Sequence, residues 1–204
     1  MNKNSIYKTA KRITDIILAS LGIIILLPVF LLIAFVIKFD SRGPVFFRGV
    51  RTGKNNVPFR IFKFRSMYIG SEYKAGTTSR NDNRVTKVGK FIRRYKLDEL
   101  PQLLNVILGE MSFVGPRPEL PKYTNEYTGE ELLILTVKPG ITDISSIKFS
   151  NLNDLIEDED PDKAFETRIL MVKNLLRIEY VKTCSYWFDI KLIIKTVFKI
   201  ILRK

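Results

Sequence analysis

The sequence predicts an α+β fold, mainly helical, tied to a membrane near its N-terminus. Three features carry that expectation: a long uncharged apolar run, two short strand-like segments around a Gly-Lys-Asn-Asn turn, and helical spacing through most of the remainder. A chain of 204 residues is one domain of ordinary size, and two would be cramped.

The apolar run comes first. Residues 16–37 read IILASLGIIILLPVFLLIAFVI, 22 positions with no charge and Ser20 as the only polar side chain. A straight helix of that length would extend roughly 33 Å, enough to cross a hydrocarbon core of about 30 Å. The run is too long for a cleaved signal peptide, and no small-residue cleavage site follows it, so the chain is expected to keep the segment. Pro28 offers no N–H to the carbonyl of Ile24, and its ring crowds that turn. Two arrangements stay open on these residues: a kinked single span, or a helix–break–helix that enters and leaves by one face. The break would fall at Leu27 and Pro28, leaving arms of roughly 18 Å and 15 Å. Lys3, Lys8, Lys11 and Arg12 precede the run, and Lys38, Arg42, Arg48 and Arg51 follow it. Positive charge usually marks one flank; here it marks both, which two cytoplasmic ends would satisfy.

Two segments, residues 45–50 and 57–65, then read as strands joined by Gly53-Lys54-Asn55-Asn56, a small β-hairpin. Residues 70–84 are polar and loop-like. Residues 88–95, 100–108, 131–137 and 164–181 have helical spacing. Near the C-terminus, Lys191, Lys195, Lys199 and Arg203 recur every four residues among Ile, Val, Phe and Leu. That pattern suits an amphipathic helix lying in a headgroup layer; a terminal helix packed on the domain is the plainer reading. The organisation expected is a membrane segment with its basic flank over 1–39, a cytoplasmic domain over 40–189 and a basic interfacial helix over 190–204.

Composition restricts the chemistry. There are 34 Lys and Arg against 21 Asp and Glu, a net charge of +13, so the partners are anionic: nucleic acid, membrane or phosphorylated small molecules. No histidine is present and Cys184 stands alone, which excludes a His-dependent triad, a His-ligated metal and an internal disulfide. Carboxylates working with a hard cation are the natural remaining chemistry. The acidic stretch over 154–162 lacks the glycine and spacing of a calcium loop and reads as a solvated segment. No internal repeat, P-loop or GxGxxG occurs.

The densest polar constellation is GKFIRRYKLDELPQLLNVILGEMSFVGPRPEL, from Gly89. Asp98 and Glu99 are adjacent and precede a leucine-rich helix with Pro101 in its first turn. Helix capping alone accounts for acids and a proline there. Arg93, Arg94 and Lys96 lie just upstream, and the prolines of Pro116-Arg117-Pro118 fix where Arg117 points. Carboxylates surrounded by cations suggest a phosphate site with a bridging metal.

At these motifs the chain resembles the bacterial sugar transferase family, the small monotopic phosphoglycosyl transferases. KFRSM, LDELPQLLNV and VGPRP carry the resemblance, with KRITDIILAS, GPVFFRGVRTG, VKPGIT and YWFDIKLIIKTV in family order over nearly the whole chain. The resemblance implies transfer of a sugar-1-phosphate from a UDP-sugar to undecaprenyl (polyprenyl) phosphate, with UMP as the leaving group and Mg²⁺ as cofactor. It implies a glycoconjugate pathway on the bacterial inner membrane, a cytoplasmic catalytic domain, membrane lipids and downstream glycosyltransferases as partners, and no nucleic acid. It also implies a re-entrant hairpin broken at Pro28 and an Asp-Glu dyad matching Asp98 and Glu99, with Asp98 at the nucleophile position. By motif position Lys63, Arg65, Arg93 and Arg117 are candidates for phosphate oxygens, one or two of them expected to be structural ion pairs. Direct attack with Asp98 as a metal ligand is an alternative, and a non-enzymatic membrane adaptor a remote one. The chain departs from the family pattern after Pro139-Gly140-Ile141-Thr142: Asp143 stands where glycine is common and Ser146 where glutamine is common.

Overall fold

The computed structural model describes residues 3–71, 82–149, 163 and 165–201. The acidic stretch over 154–162 and the loop centre over 76–79 lie outside the described residues. The fold is mainly helical with short paired strands.

Helix α1 (Lys3–Asp40) contains Pro28 without interruption. The break expected between Leu27 and Pro28 is therefore not an end of the helix. A proline removes one backbone hydrogen bond and bends a helix; neighbouring turns carry it through. Along α1, Ala19, Ile23, Leu26, Phe30, Ile33 and Ile37 recur at intervals of three and four and face the rest of the protein. Ile17, Leu21, Ile24, Ile25, Leu31, Leu32 and Phe35 point away and stay exposed. Among the described residues one apolar stripe of this helix finds a protein partner, and the other is left for a non-aqueous neighbour.

Both ends of α1 are tied to the same body. On the N-terminal side Lys11 and Tyr7 reach Asp189 at 2.5 Å and 2.9 Å, Arg12 donates to the carbonyls of Val106 and Ile107, and Asp15 accepts from Phe113 N at 3.0 Å. On the C-terminal side Asp40 accepts from Val88 N at 3.2 Å, and Arg65 donates to the carbonyls of Ser41 and Arg42.

The expected hairpin forms as a broken antiparallel ribbon. Strands β1 (Phe46–Phe47) and β2 (Val50–Thr52) pair with β4 (Lys63–Phe64) and β3 (Pro58–Arg60) respectively. The connecting turn places Asn55 and Asn56 at φ of 56° and 61°, left-handed backbone that asparagine tolerates. Where the ladder breaks, helix α3 (Gln102–Leu108) repairs it. Asn105, wholly buried, accepts from Phe62 N at 2.8 Å and donates to Arg60 O at 3.0 Å. Those two backbone groups would otherwise be orphaned at a cost of about 1–3 kcal/mol each.

Helix α2 (Lys87–Arg94) opens on Thr86, whose side chain accepts from Gly89 N. After α3, β5 (Ser112–Val114) pairs in parallel with β6 (Gly140–Thr142), and α4 (Pro121–Thr124) and a 3-10 helix (Gly129–Thr136) form the crossover between them. This parallel pair was not expected, and the 3-10 helix replaces an expected α-helix over 131–137. Helix α5 (Ile144–Lys148) follows, then a π-helical turn (Phe165–Ile169) leading into α6 (Leu170–Thr183), where a single helix was expected. Helix α7 (Tyr186–Ile201) starts four residues ahead of the expected boundary at 190. It packs inward through Asp189 and Leu192 and leaves Trp187, Ile194, Val197 and Phe198 exposed beside Lys191 and Lys195. It is thus packed on the domain and still presents an apolar, basic outer face.

Candidate active site

The candidate site is assembled from three segments. Asp98 and Glu99 ride on a 3-10 turn (Leu97–Glu99) between α2 and α3. The turn begins at Lys96, whose φ of 57° is left-handed and breaks the helical path after α2. Leu97 anchors it, packing with Ile33 and Ile37 of α1, Phe64 of β4 and Ile92 of α2. Strand β4 supplies Lys63. The loop after β5 supplies Arg117. That loop is pinned by backbone bonds from Gly115 N to Thr142 O and from Gly140 N to Pro116 O, both 3.0 Å. A Cβ on Gly140 would lie 2.1 Å from Gly115 N, so only glycine permits this approach.

Glu99 is held from two sides. Lys63 Nζ donates to Oε1 at 2.9 Å, Arg117 Nη1 donates to Oε2 at 3.0 Å, and Arg117 Nη2 also donates to Oε1. This is a two-pronged guanidinium–carboxylate contact with a third donor added. Burial alone would raise the Glu99 carboxyl; Arg117 and Lys63 overcome it and hold the group well below the usual carboxylate range.

Asp98 differs from its neighbour. It is 7 % exposed, yet among the described residues its carboxylate takes no hydrogen bond and no ion pair. Burial raises its carboxyl, opposed chiefly by the field of Lys63, while Glu99 adds to the rise and Arg93 and Lys96 oppose it. Burial also lowers the ammonium of Lys96, which faces both carboxylates. The result is a desolvated carboxylate in a ring of positive field with its own oxygens uncommitted.

The structure therefore brings Asp98, Glu99, Lys63 and Arg117 together and sets Arg93 within their field. Arg65 lies elsewhere. Its guanidinium donates to Ser41 O at 2.6 Å, Ile37 O at 3.4 Å and Arg42 O, satisfying carbonyls at the C-terminal end of α1, a structural role of the kind expected for one or two of the four candidate cations. Leu27 and Pro28 sit far along α1 within its exposed part and take no place in this constellation. Lys96 and Asn105 were outside the candidate set. A lone amide inside the apolar run LLNVIL is the signal that could have marked Asn105.

The donor set can be tested against Mg²⁺. No group of three or more His, Cys, Asp or Glu side chains converges among the described residues, which leaves Asp98 and Glu99. Mg²⁺ is commonly held by one or two carboxylates together with substrate phosphates and water; Asp98 has oxygens free for an ion shared with a phosphorylated substrate, whereas Glu99 would have to give up part of its contact with Lys63 and Arg117 to join it.

Comparison with known proteins identifies relatives over nearly the whole chain. Residues 6–203 match the family model described as bacterial sugar transferase. The chain is 42 % identical over 200 residues to a UDP-glucose:undecaprenyl-phosphate glucose-1-phosphate transferase of Klebsiella pneumoniae, covering 96 % of this chain and 41 % of that protein. It is 42 % identical over 195 residues to an undecaprenyl-phosphate glucose phosphotransferase of Komagataeibacter xylinus, covering 92 % and 35 %. It is 37 % identical over 196 residues to a UDP-N-acetylgalactosamine-undecaprenyl-phosphate N-acetylgalactosaminephosphotransferase of Aeromonas hydrophila, covering 94 % and 44 %. The chain thus spans about two-fifths of the length of these relatives.

The Glu99 clamp has a pH signature. Because its folded pKa lies below the ordinary 4.5, its contribution to stability is present above that pH and is lost as pH falls through the folded value. Glu99→Gln leaves Lys63 and Arg117 unanswered and is expected to cost about 3 kcal/mol at pH 7, roughly 6–12 °C in melting temperature. Thermal unfolding in detergent at a series of pH values should show the gap between wild type and variant narrowing below pH 4.5. A gap independent of pH would contradict the clamp.

Proposed function

The chain belongs to the bacterial sugar transferase family, and on that premise we propose that it transfers a sugar-1-phosphate from a UDP-sugar to undecaprenyl phosphate, releasing UMP. The observation that carries this reading is the asymmetry of the dyad: Glu99 is clamped by Lys63 and Arg117, while among the described residues nothing bonds to the carboxylate of the buried Asp98.

Asp98 is the nucleophile. One of its carboxylate oxygens attacks the phosphorus that carries the sugar. A bond forms from Asp98 to that phosphorus, the bond to the UMP oxygen breaks, and UMP leaves with the electron pair. The phosphorus of the resulting acyl phosphate is then attacked by an oxygen of undecaprenyl phosphate, and the Asp98 carboxylate leaves unchanged. Burial favours this role, because a desolvated carboxylate is not shielded by water, and the surrounding cations offset the repulsion between it and an anionic substrate. Lys63 and Arg117 hold Glu99 and face the diphosphate; Arg93 and Lys96 add positive field on the other side of Asp98. Asp98 and Glu99 are the side chains that would hold Mg²⁺, which would supply further neutralisation of the leaving phosphate.

The two-step order suits a site between water and lipid. We read residues 16–37 as re-entrant, bent at Pro28, with both ends and the catalytic body on the cytoplasmic face of the bacterial inner membrane. The support is that Lys11, Arg12 and Asp15 before the run, and Asp40 after it, all bond to the same body. The exposed stripe of α1 and the outer face of α7 then lie in lipid and headgroups. The sugar is left open, since the relatives' names carry both glucose and N-acetylgalactosamine.

UMP release from UDP-glucose and UDP-N-acetylgalactosamine, with undecaprenyl phosphate and Mg²⁺ in lipid discs, tests the activity. Asp98→Asn is expected to lose at least a thousandfold, and activity within tenfold of wild type would contradict the nucleophile. Since Asp98 must be ionised and its pKa is raised, the acid limb of kcat/KM should lie above 3.8.

For topology, cysteines placed at Asn4 and Ser41 in a Cys184→Ser background should react with an impermeant maleimide from the same, cytoplasmic side. Reaction from opposite sides would overturn the re-entrant reading.

A further inference from the structure

Pro116-Arg117-Pro118 contains a single backbone N–H, because neither proline has one. That N–H donates to Asp143 Oδ2 at 3.2 Å. Asp143 follows β6 and caps α5: its Oδ1 accepts from Ser146 N at 2.5 Å, and Ser145 Oγ donates to the same carboxylate at 2.8 Å and 3.0 Å. It is 1 % exposed. The nearest cationic group on the neighbouring helix is Arg177 of α6, itself 0 % exposed, with Nε 3.9 Å from Asp143 Oδ2 and Nη2 donating to Glu119 Oε1 at 2.6 Å.

These contacts grip the tripeptide along its length. Gly115 and Pro116 are bonded to β6, Arg117 to Asp143, and Glu119, just beyond Pro118, to Arg177. A helix cap alone does not need a carboxylate, because serine, threonine or asparagine also caps. The second oxygen of Asp143 is spent on the backbone of the one residue whose guanidinium clamps Glu99. Given the function proposed above, we infer that Asp143 is a positioning residue: through the Arg117 N–H it fixes where the Arg117 guanidinium meets Glu99 and the donor diphosphate.

Asparagine separates the two jobs of this side chain. Its single carbonyl oxygen can keep the cap on Ser146 N, but its NH₂ then opposes the Arg117 N–H, donor against donor. The first measurement needs no variant: hydrogen exchange, read by mass spectrometry with fragmentation, isolates the Arg117 amide because its neighbours are prolines. It should be protected in the wild-type protein, and an unprotected amide overturns the inference. In Asp143→Asn it should exchange at least tenfold faster, with Ser145→Ala as a control that leaves it protected; wild-type exchange in Asp143→Asn also overturns it.

The second measurement is a double-mutant cycle on UMP release. Asp143→Asn alone should lower kcat/KM roughly tenfold. In an Arg117→Ala background, where no guanidinium remains to position, it should change kcat/KM less than twofold. Losses that multiply would show that Asp143 acts on general stability and sink the inference. Survival of UMP release in Asp98→Asn would remove the nucleophile reading while leaving the amide exchange to decide on Asp143.

Discussion

Glu99 takes Lys63 on one carboxylate oxygen and Arg117 on both, and the two cations come from distant parts of the chain: the β-ribbon and the loop after β5. Three segments that share no local sequence are held in register by this one buried anion. A carboxylate at 14 % side-chain exposure is unfavourable unless paired, so the contact fixes the segments as strongly as it neutralises the charge. The electrostatic consequence falls on Asp98. With Glu99 answered, the remaining field of Lys63, Arg93 and Lys96 acts on a carboxylate that no donor holds among the described residues. Both halves of the dyad are acids on one turn, and their environments give them different work.

Helix α1 takes part in the same construction. Ile33 and Ile37 pack on Leu97 of the dyad turn, and Ala19, Ile23 and Leu26 pack on the Asn105-bearing helix that shapes the ribbon. Arg65 closes the C-terminal end of α1 with its guanidinium, and Asp189 gathers Tyr7, Lys11 and Tyr180 at the other end. The site is therefore not carried on a tether. Its dyad is seated on the buried stripe of the same helix whose opposite stripe is exposed and apolar, a placement suited to chemistry between a soluble donor and a lipid acceptor.

What could be read from the residues follows the range of the interactions. The Lys54-Asn55-Asn56 turn and helices α2 and α3 depend on local pattern and appear within a residue or two of expectation, and the apolar run lies inside the longer, unbroken α1. The β5–β6 pair escaped because its strands are three residues each, parallel, and set by contacts across a long crossover; nothing local marks them. The dyad and Lys63 were legible because their motif spacing is specific, whereas the fate of Arg65 was not. Two residues apart in a continuous strand, Lys63 and Arg65 would share a face, but β4 ends at Phe64 and the chain beyond it takes Arg65 to the carbonyls of α1 while Lys63 stays on Glu99. Asp143 looked like a departure from a family pattern, and only the three-dimensional structure pairs it with Arg117.

The central claim is that Asp98 carries the phosphosugar between donor and acceptor. It is tested most directly by mixing the protein with UDP-sugar labelled at the sugar-linked phosphate, without acceptor, and following label on the polypeptide. The account predicts label at Asp98 that undecaprenyl phosphate chases into lipid, and none on Asp98→Asn. Full turnover with no label ever on the protein would contradict it and leave direct attack, with Asp98 serving only to hold the metal.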